Sequence, residues 1–190
     1  RRYSSAASDV YKRQANAKRQ KLASALGDDD VDAVVLAQPD SMAWLLNIRG
    51  GDVAHTPLPL SFGILHADGR VGLFCDPRKV MAETRAHLGN GVTVEPLAAL
   101  ADGLEALGKR GASVGADMSS TPAWIVDRLT TSGASLCPMQ DPCVAPRAAK
   151  NAVELQGARD AHQRDAVAVC RFLAWVDALS LIHISEPTRP

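Results

Sequence analysis

Apolar residues recur along this 190-residue chain with two periods, and together they predict an alternation of helices and strands. Leu22 and Leu26 lie four apart in a basic, alanine-rich segment, which predicts an amphipathic helix over residues 16–26 that closes at Gly27. Asp28, Asp29 and Asp30 follow as a solvated turn, because adjacent carboxylates diverge and no further ligand group stands near them in sequence. Residues 32–37 have the length and apolarity of a strand. Gln38-Pro-Asp-Ser41 ends that strand, and Asp40 or Ser41 is placed to cap a short helix through Leu46. Leu58, Leu60, Phe62 and Ile64 then alternate with polar or small residues, as do Val71, Leu73 and Cys75. The intervening Asp68-Gly69 predicts a hairpin with a type I′ turn, and His66 reads as an end-of-strand histidine at its tip.

Asp76-Pro77 is a helix start, with Val80, Thr84 and Leu88 on one face and Gly89 as the stop. A strand over 92–95 leads to a helix striped by Leu97, Leu100, Leu104 and Leu107. Residues 113–117 predict another strand, and 119–129 a capped helix with Pro122 in its first turn and Ile125, Val126 and Leu129 facing inward. Residues 134–137 suit an edge strand. Strands alternating with helices around a hairpin indicate an α/β fold, a mixed sheet with helices on both faces. From 148 to 178 the pattern changes to one long helix, preceded by the linker-like Asp141-Pro-Cys-Val-Ala-Pro146. Leu155, Ala158, Ala166, Val169, Leu173 and Val176 form its stripe, widened by Phe172 and Trp175. A helix this apolar needs a partner surface, expected in sequence beyond the chain. Arg159, His162 and Arg164 read as solvent-facing or helix-pairing residues.

Composition narrows the function classes. With 46% hydrophobic and 22% charged residues the chain can fill one α/β domain and begin another. Its 21 basic and 21 acidic residues cancel, so no overall field attracts nucleic acid or an anionic membrane. The four cysteines form no C-x-x-C pair, and Pro138 and Pro142 separate Cys137 from Cys143, which favours small core side chains in a reducing, cytoplasmic setting over a metal site. No apolar run approaches the ~20 residues that span a bilayer.

The ends read differently from the middle. Ser4-Ser-Ala-Ala-Ser-Asp-Val-Tyr-Lys-Arg-Gln14 and Leu179-Ser-Leu-Ile-His-Ile-Ser-Glu-Pro-Thr-Arg189 each look like one translated frame of a transposon-based library adapter, the two facing inward. Residues 1–14 and 179–190 are therefore expected to be adapter-derived tails, and Tyr11 and His183 carry no functional weight.

Candidate chemistry concentrates between Trp44 and Leu65. Arg49, Asp52 and His55, with Asn47, cluster around Gly50-Gly51, a pair that permits unusual backbone angles and close approach. Catalysis, binding and simple loop closure are all compatible with this pattern. The run Asp40-Ser-Met-Ala-Trp-Leu-Leu-Asn-Ile-Arg-Gly-Gly-Asp-Val-Ala-His-Thr-Pro57 resembles the three-domain cytosolic Xaa-Pro aminopeptidases of the creatinase and prolidase superfamily. Phe74-Cys-Asp-Pro-Arg-Lys79, Val114-Gly-Ala-Asp117 and the segment from Lys150 to Ala166 follow the same family order. The resemblance implies that residues 15–146 form a creatinase/prolidase N-terminal-type domain with a ribonuclease H-like mixed sheet. It also implies that 147–178 are a linker and the opening helix of a truncated pita-bread metallopeptidase domain. For the full-length enzyme it implies proline-containing peptide substrates, a homodimer and two divalent metal ions, manganese being usual. The two Asp, one His and two Glu ligands of such a centre would follow the opening helix. No metal ligand or catalytic base is thus carried over to this chain, whose Arg49, Asp52 and His55 would border the substrate cleft or a subunit interface. A related prolidase or creatinase and an independent α/β binding module are the alternatives.

Overall fold

The computed structural model describes residues 4–5 and 9–179, with side chains from residue 14 onward. Strands Ser4–Ser5 (β1), Ala33–Leu36 (β2), Ile48–Arg49 (β3), Phe62–His66 (β4), Val71–Cys75 (β5), Val92–Pro96 (β6), Ser113–Ala116 (β7) and Ser135–Pro138 (β8) alternate with helices. The helices are Asp9–Asp28 (α1), Pro39–Leu46 (α2), Ala82–Leu88 (α3), Leu100–Lys109 (α4), Ala123–Ser132 (α5), Val144–Ala148 (α6) and Ala152–Ala178 (α7). Six strands form one sheet in the order β6-β5-β4-β2-β7-β8. The β2–β4 and β4–β5 pairs are antiparallel, and β5–β6, β2–β7 and β7–β8 are parallel, which is the mixed sheet expected. Proline sits in both edge strands, Pro96 in β6 and Pro138 in β8, where a missing N–H does least harm.

Strand alternation sorts the core into two layers. Val34, Leu36, Leu65 and Leu73 pack with Leu22, Leu26, Met42, Leu45 and Leu46 of α1 and α2. Ala33, Val35, Ile64, Phe74 and Val114 pack with Leu100, Leu104 and Leu107 of α4 and Ile125 and Leu129 of α5. Each fully buried leucine or isoleucine contributes ~1.5–3 kcal/mol. Gly63 lets α2 approach the sheet, because a Cβ there would overlap the Met42 side chain. The segment after β8 belongs to this body: Asp141 and Cys143 are buried although the prolines suggested a linker. Arg1–Arg147 and Ala148–Pro190 are separate compact units. In the second, α7 opens with a capping box between Asn151 and Glu154 and contains no buried residue.

Several local expectations are corrected. Neither Asp40 nor Ser41 caps α2; the N-cap is Gln38, with Pro39 filling the first turn, and Asp40 pairs instead with Arg147 at 2.5 Å. The hairpin turn is not type I′. Only Gly69 has positive φ (83°), the Gly69 N–H bonds His66 O at 2.9 Å, and the His66 N–H bonds Arg70 O at 2.9 Å, the three-residue loop with a glycine bulge. Asp76-Pro77 nucleates only a 3-10 turn, Pro77–Lys79, before α3 begins separately. Leu97 lies in another 3-10 turn and is exposed, so the α4 stripe starts at Leu100. The helix predicted from 119 starts at Ala123 without a side-chain cap, and Val126 is only partly buried. Of the sequences read as adapter tails, residues 1–3, 6–8 and 180–190 lie outside the described residues.

Arg19 of α1 is the main buried cation. Its Nη1 donates to Gly69 O (3.1 Å) in the hairpin turn and to Gly91 O (2.8 Å) ahead of β6, and its Nη2 donates to Asn16 Oδ1 (3.0 Å). Burial pushes its pKa down, yet a guanidinium keeps its charge at neutral pH. Arg19→Met keeps the aliphatic contacts and strips the Gly69 carbonyl of this partner, so urea unfolding is expected to show a loss of about 1–3 kcal/mol. Unchanged stability would mean that water replaces the guanidinium without cost.

Candidate functional site

The loop from Asn47 to Ser61 begins where α2 must stop. Asn47 takes the left-handed conformation (φ 51°, ψ 42°) that asparagine tolerates at a helix end, and its N–H closes on Ala43 O. Lys18 of α1 fixes this corner. Its ammonium donates to Trp44 O (2.9 Å) and Asn47 Oδ1 (2.7 Å), and lies 4.4 Å from the centroid of the Trp44 ring. Arg49 then turns back on the helix it follows, Nη1 donating to Ala43 O (3.2 Å) and Ile48 O (2.9 Å), a cation on carbonyls at the negative helix end. Buried Ile48 pins the strand between them.

Gly50 provides the close approach expected of the glycine pair, whereas the unusual backbone angles also expected there are absent from both glycines. The left-handed residues of this loop are Asn47 and His55. A Cβ on Gly50 would lie 2.6 Å from Pro59 Cα and 2.8 Å from Leu58 O, while the Gly50 N–H donates to Pro57 O at 3.2 Å. The two arms of the loop therefore touch through backbone. Asp52 locks them: its carboxylate accepts from Leu60 N (2.9 Å) and pairs with Lys79 Nζ (2.6 Å), with only 4% of its side chain exposed. His55 stands at the tip, exposed, at φ 58° in a turn where Thr56 N donates to Val53 O (3.4 Å).

The three predicted site residues thus share one loop but make different contacts. Asp52 points into the structure as a clip, Arg49 folds over the end of α2, and His55 projects. The partner that sequence reasoning missed is Lys79. The hairpin carries the signal for it, since the pairing of Phe62 with Phe74 brings the chain before β4 beside the chain after β5. Arg147 is a second omission, binding Asp40 and donating to Ser41 Oγ (3.3 Å) at the start of α2.

Desolvation pushes the Cys75 thiol up to about 11, and burial raises Cys143 further, so neither is a reactive thiolate near neutrality. The three aspartates at 28–30 are exposed, as a solvated turn requires. Among the described residues no group of three or more His, Cys, Asp or Glu side chains is placed to hold a metal ion.

The family model for the creatinase/prolidase N-terminal domain matches residues 6–154, and the chain belongs to that family. It is 32% identical over 176 residues to Xaa-Pro aminopeptidase 1 of Dictyostelium discoideum, covering 93% of this chain and 27% of the relative. It is 31% identical over 178 residues to aminopeptidase P2 of Arabidopsis thaliana, covering 79% of this chain and 25% of the relative. Among solved structures, the X-prolyl aminopeptidase of Caenorhabditis elegans, described as a cytosolic enzyme with a di-nuclear active site, superposes with a TM-score of 0.79. That match has 24% identity and covers 93% of this chain and 29% of the other; it establishes likeness of fold. The chain spans about a quarter of the length of the curated relatives it matches. A two-metal carboxylate centre does not fit the side-chain groupings of the described residues. No helix among those residues is long and apolar enough to cross a membrane.

Gly50→Ala tests the close approach. The added methyl meets backbone, which cannot rotate away, so a destabilisation of about 1–3 kcal/mol is expected in thermal or urea unfolding. Wild-type stability would show that the two arms separate freely.

Proposed function

We propose that this chain is the creatinase/prolidase-type N-terminal domain of a metal-dependent Xaa-Pro aminopeptidase, followed by the opening helix of its catalytic pita-bread domain. On this reading residues 15–146 are the domain, 147–178 the linker and helix, and 1–14 and 179–190 adapter-derived tails. The observation that carries it is the 32% identity to an Xaa-Pro aminopeptidase along 93% of the chain but only 27% of the relative. The long helix adds support. Val169, Phe172, Leu173 and Trp175 are each more than half exposed, an apolar surface that fits burial against further catalytic-domain sequence.

The whole enzyme then removes the N-terminal residue from peptides with proline second. It uses two divalent metal ions, manganese by family resemblance, which would supply an activated water when bound, and it works as a cytoplasmic homodimer. This chain is inactive alone, and its part is to shape substrate access and dimer contacts, with Arg49, Asp52 and His55 at the cleft rim or the interface. A prolidase or creatinase parent shares the same domain, but the Asn47-Ile-Arg-Gly-Gly-Asp52 loop favours the aminopeptidase. The unburied face of α7 argues against an independent binding module.

Incubating the purified chain with manganese and an Xaa-Pro peptide is expected to release no more product than a blank, and metal-dependent turnover would overturn the assignment. In the full-length enzyme, Arg49→Ala or His55→Ala should raise KM, or weaken dimerisation, about two- to tenfold, the range of one hydrogen bond. Unchanged kinetics and assembly in both would reduce the loop to a structural element.

A further inference from the structure

An open cavity of about 250 Å³ lies between α4 and the β4-β5-β6 side of the sheet, away from any residue of the candidate loop. It exists because three facing positions carry almost no side chain: Gly72 on β5, and Gly103 and Ala106 on α4. Phe74 fits closely between the two glycines, since a Cβ on Gly72 would lie 3.0 Å from Phe74 Cε2 and one on Gly103 3.1 Å from Phe74 Cζ. Ile64, Phe74 and Leu107, all buried core residues, give the hollow an apolar wall.

The rim has a different character. His66 at the end of β4, Arg70 in the hairpin turn and Arg110 at the C-cap of α4 line the same cavity. Asp68 is the acid beside them, and its carboxylate already accepts from Arg70 Nε at 2.6 Å. Among the described residues, neither the Arg110 guanidinium nor the His66 ring has a hydrogen-bond partner. The end of α4 does not cancel this charge. Gly111 N donates to Gly108 O (2.8 Å) and Ala112 N to Leu107 O (3.1 Å), so two terminal carbonyls that would repel an anion are occupied.

We propose that this hollow is a binding site for a small apolar carboxylate, its ring or alkyl chain against Phe74 and Leu107 and its carboxylate held by Arg110, Arg70 and His66. An apolar slot supplies the contact area, and a few convergent polar groups fix the orientation. Arginine is suited to the charged end because its planar fork matches a carboxylate. Desolvation, Arg110 and Arg70 hold the His66 imidazole below its ordinary value against the opposing pull of Asp68. A bound carboxylate favours the imidazolium, so binding raises the His66 pKa and tightens as pH falls through that titration.

The test is titration of 3-phenylpropionate into the isotope-labelled full chain, following the His66 ring and the amides of Gly72 and Arg110 by NMR across pH. The expected result is saturable binding with an upward shift of the His66 pKa. Arg110→Glu and the neutral 3-phenylpropionamide should each weaken binding by about tenfold or more, the loss of a charge-assisted contact. Ala106→Leu, which keeps a good helix former, should fill the hollow and abolish binding without changing the helical circular dichroism. If that substitution disturbs packing, the exposed Arg110→Glu variant decides alone. The proposal falls if the amide binds as well as the acid, if inorganic phosphate produces the same His66 shift, or if well-folded Ala106→Leu binds like the wild type.

Discussion

Burial of Ala33-Val-Val-Leu36 on both faces is the constraint from which the positions of the other elements follow. A four-residue strand with no exposed side chain must have sheet neighbours on both edges and a helical layer above and below. β4 supplies one edge antiparallel and β7 the other parallel, so the hairpin and the later β-α alternation join at this strand. The register then decides which helix covers which face. Val34 opposite Leu65 looks toward α1 and α2, and Val35 opposite Ile64 looks toward α4 and α5. Shifting that register by one residue would exchange the two layers, and Gly63 would no longer lie beneath Met42.

Polar contacts act on top of this core as position markers. Lys18 sets the corner after α2, Asp52 with Lys79 closes the loop that follows, Arg147 holds the start of α2, and Arg19 joins the hairpin turn to the approach to β6. The partly exposed ion pairs among them contribute only ~0–1 kcal/mol each, well below the burial of a single leucine. Their effect is geometric: each joins segments distant in sequence at a point where backbone leaves regular structure. The glycines do complementary work. Gly50 allows backbone to touch backbone, whereas Gly72 and Gly103 leave a hollow that the large neighbour Phe74 only partly fills.

The core was legible because burial leaves a period in the sequence. The alternation of Phe62 and Ile64 and of Val71 and Leu73, and the spacing of Leu100, Leu104 and Leu107, were readable for that reason. Helix ends and turns were less so, since they depend on one or two atoms: Asp40 is a good cap by type, but Arg147, far along the chain, takes its carboxylate. Asp68-Gly69 marked the hairpin correctly, yet the strands set a three-residue loop, because only Gly69 adopts positive φ. The candidate loop was found through its composition, and the roles within it were not, because Lys79 lies 27 residues from Asp52 and nothing local links them. The cationic rim of His66, Arg70 and Arg110 was likewise invisible, since it requires the hairpin tip and the end of α4 to meet.

A loop with its arms clipped together differs in one respect from a mobile one: the tip is held before anything arrives. With Asp52 buried, Gly50 against Pro59 and Arg49 folded on the end of α2, His55 is presented on a short turn whose bases are fixed at both ends. On the proposed reading this suits a rim better than a reaction centre. A rim residue benefits from being held in place in advance, because less side-chain and loop entropy is lost when a peptide or a second subunit docks. A catalytic group would in addition need a partner to tune its proton affinity. Asp52, the obvious acid on the loop, commits its carboxylate to Lys79 and the Leu60 N–H, so the chemistry of this loop is spent on its own shape, and what it offers outward is a positioned imidazole and the flank of a guanidinium.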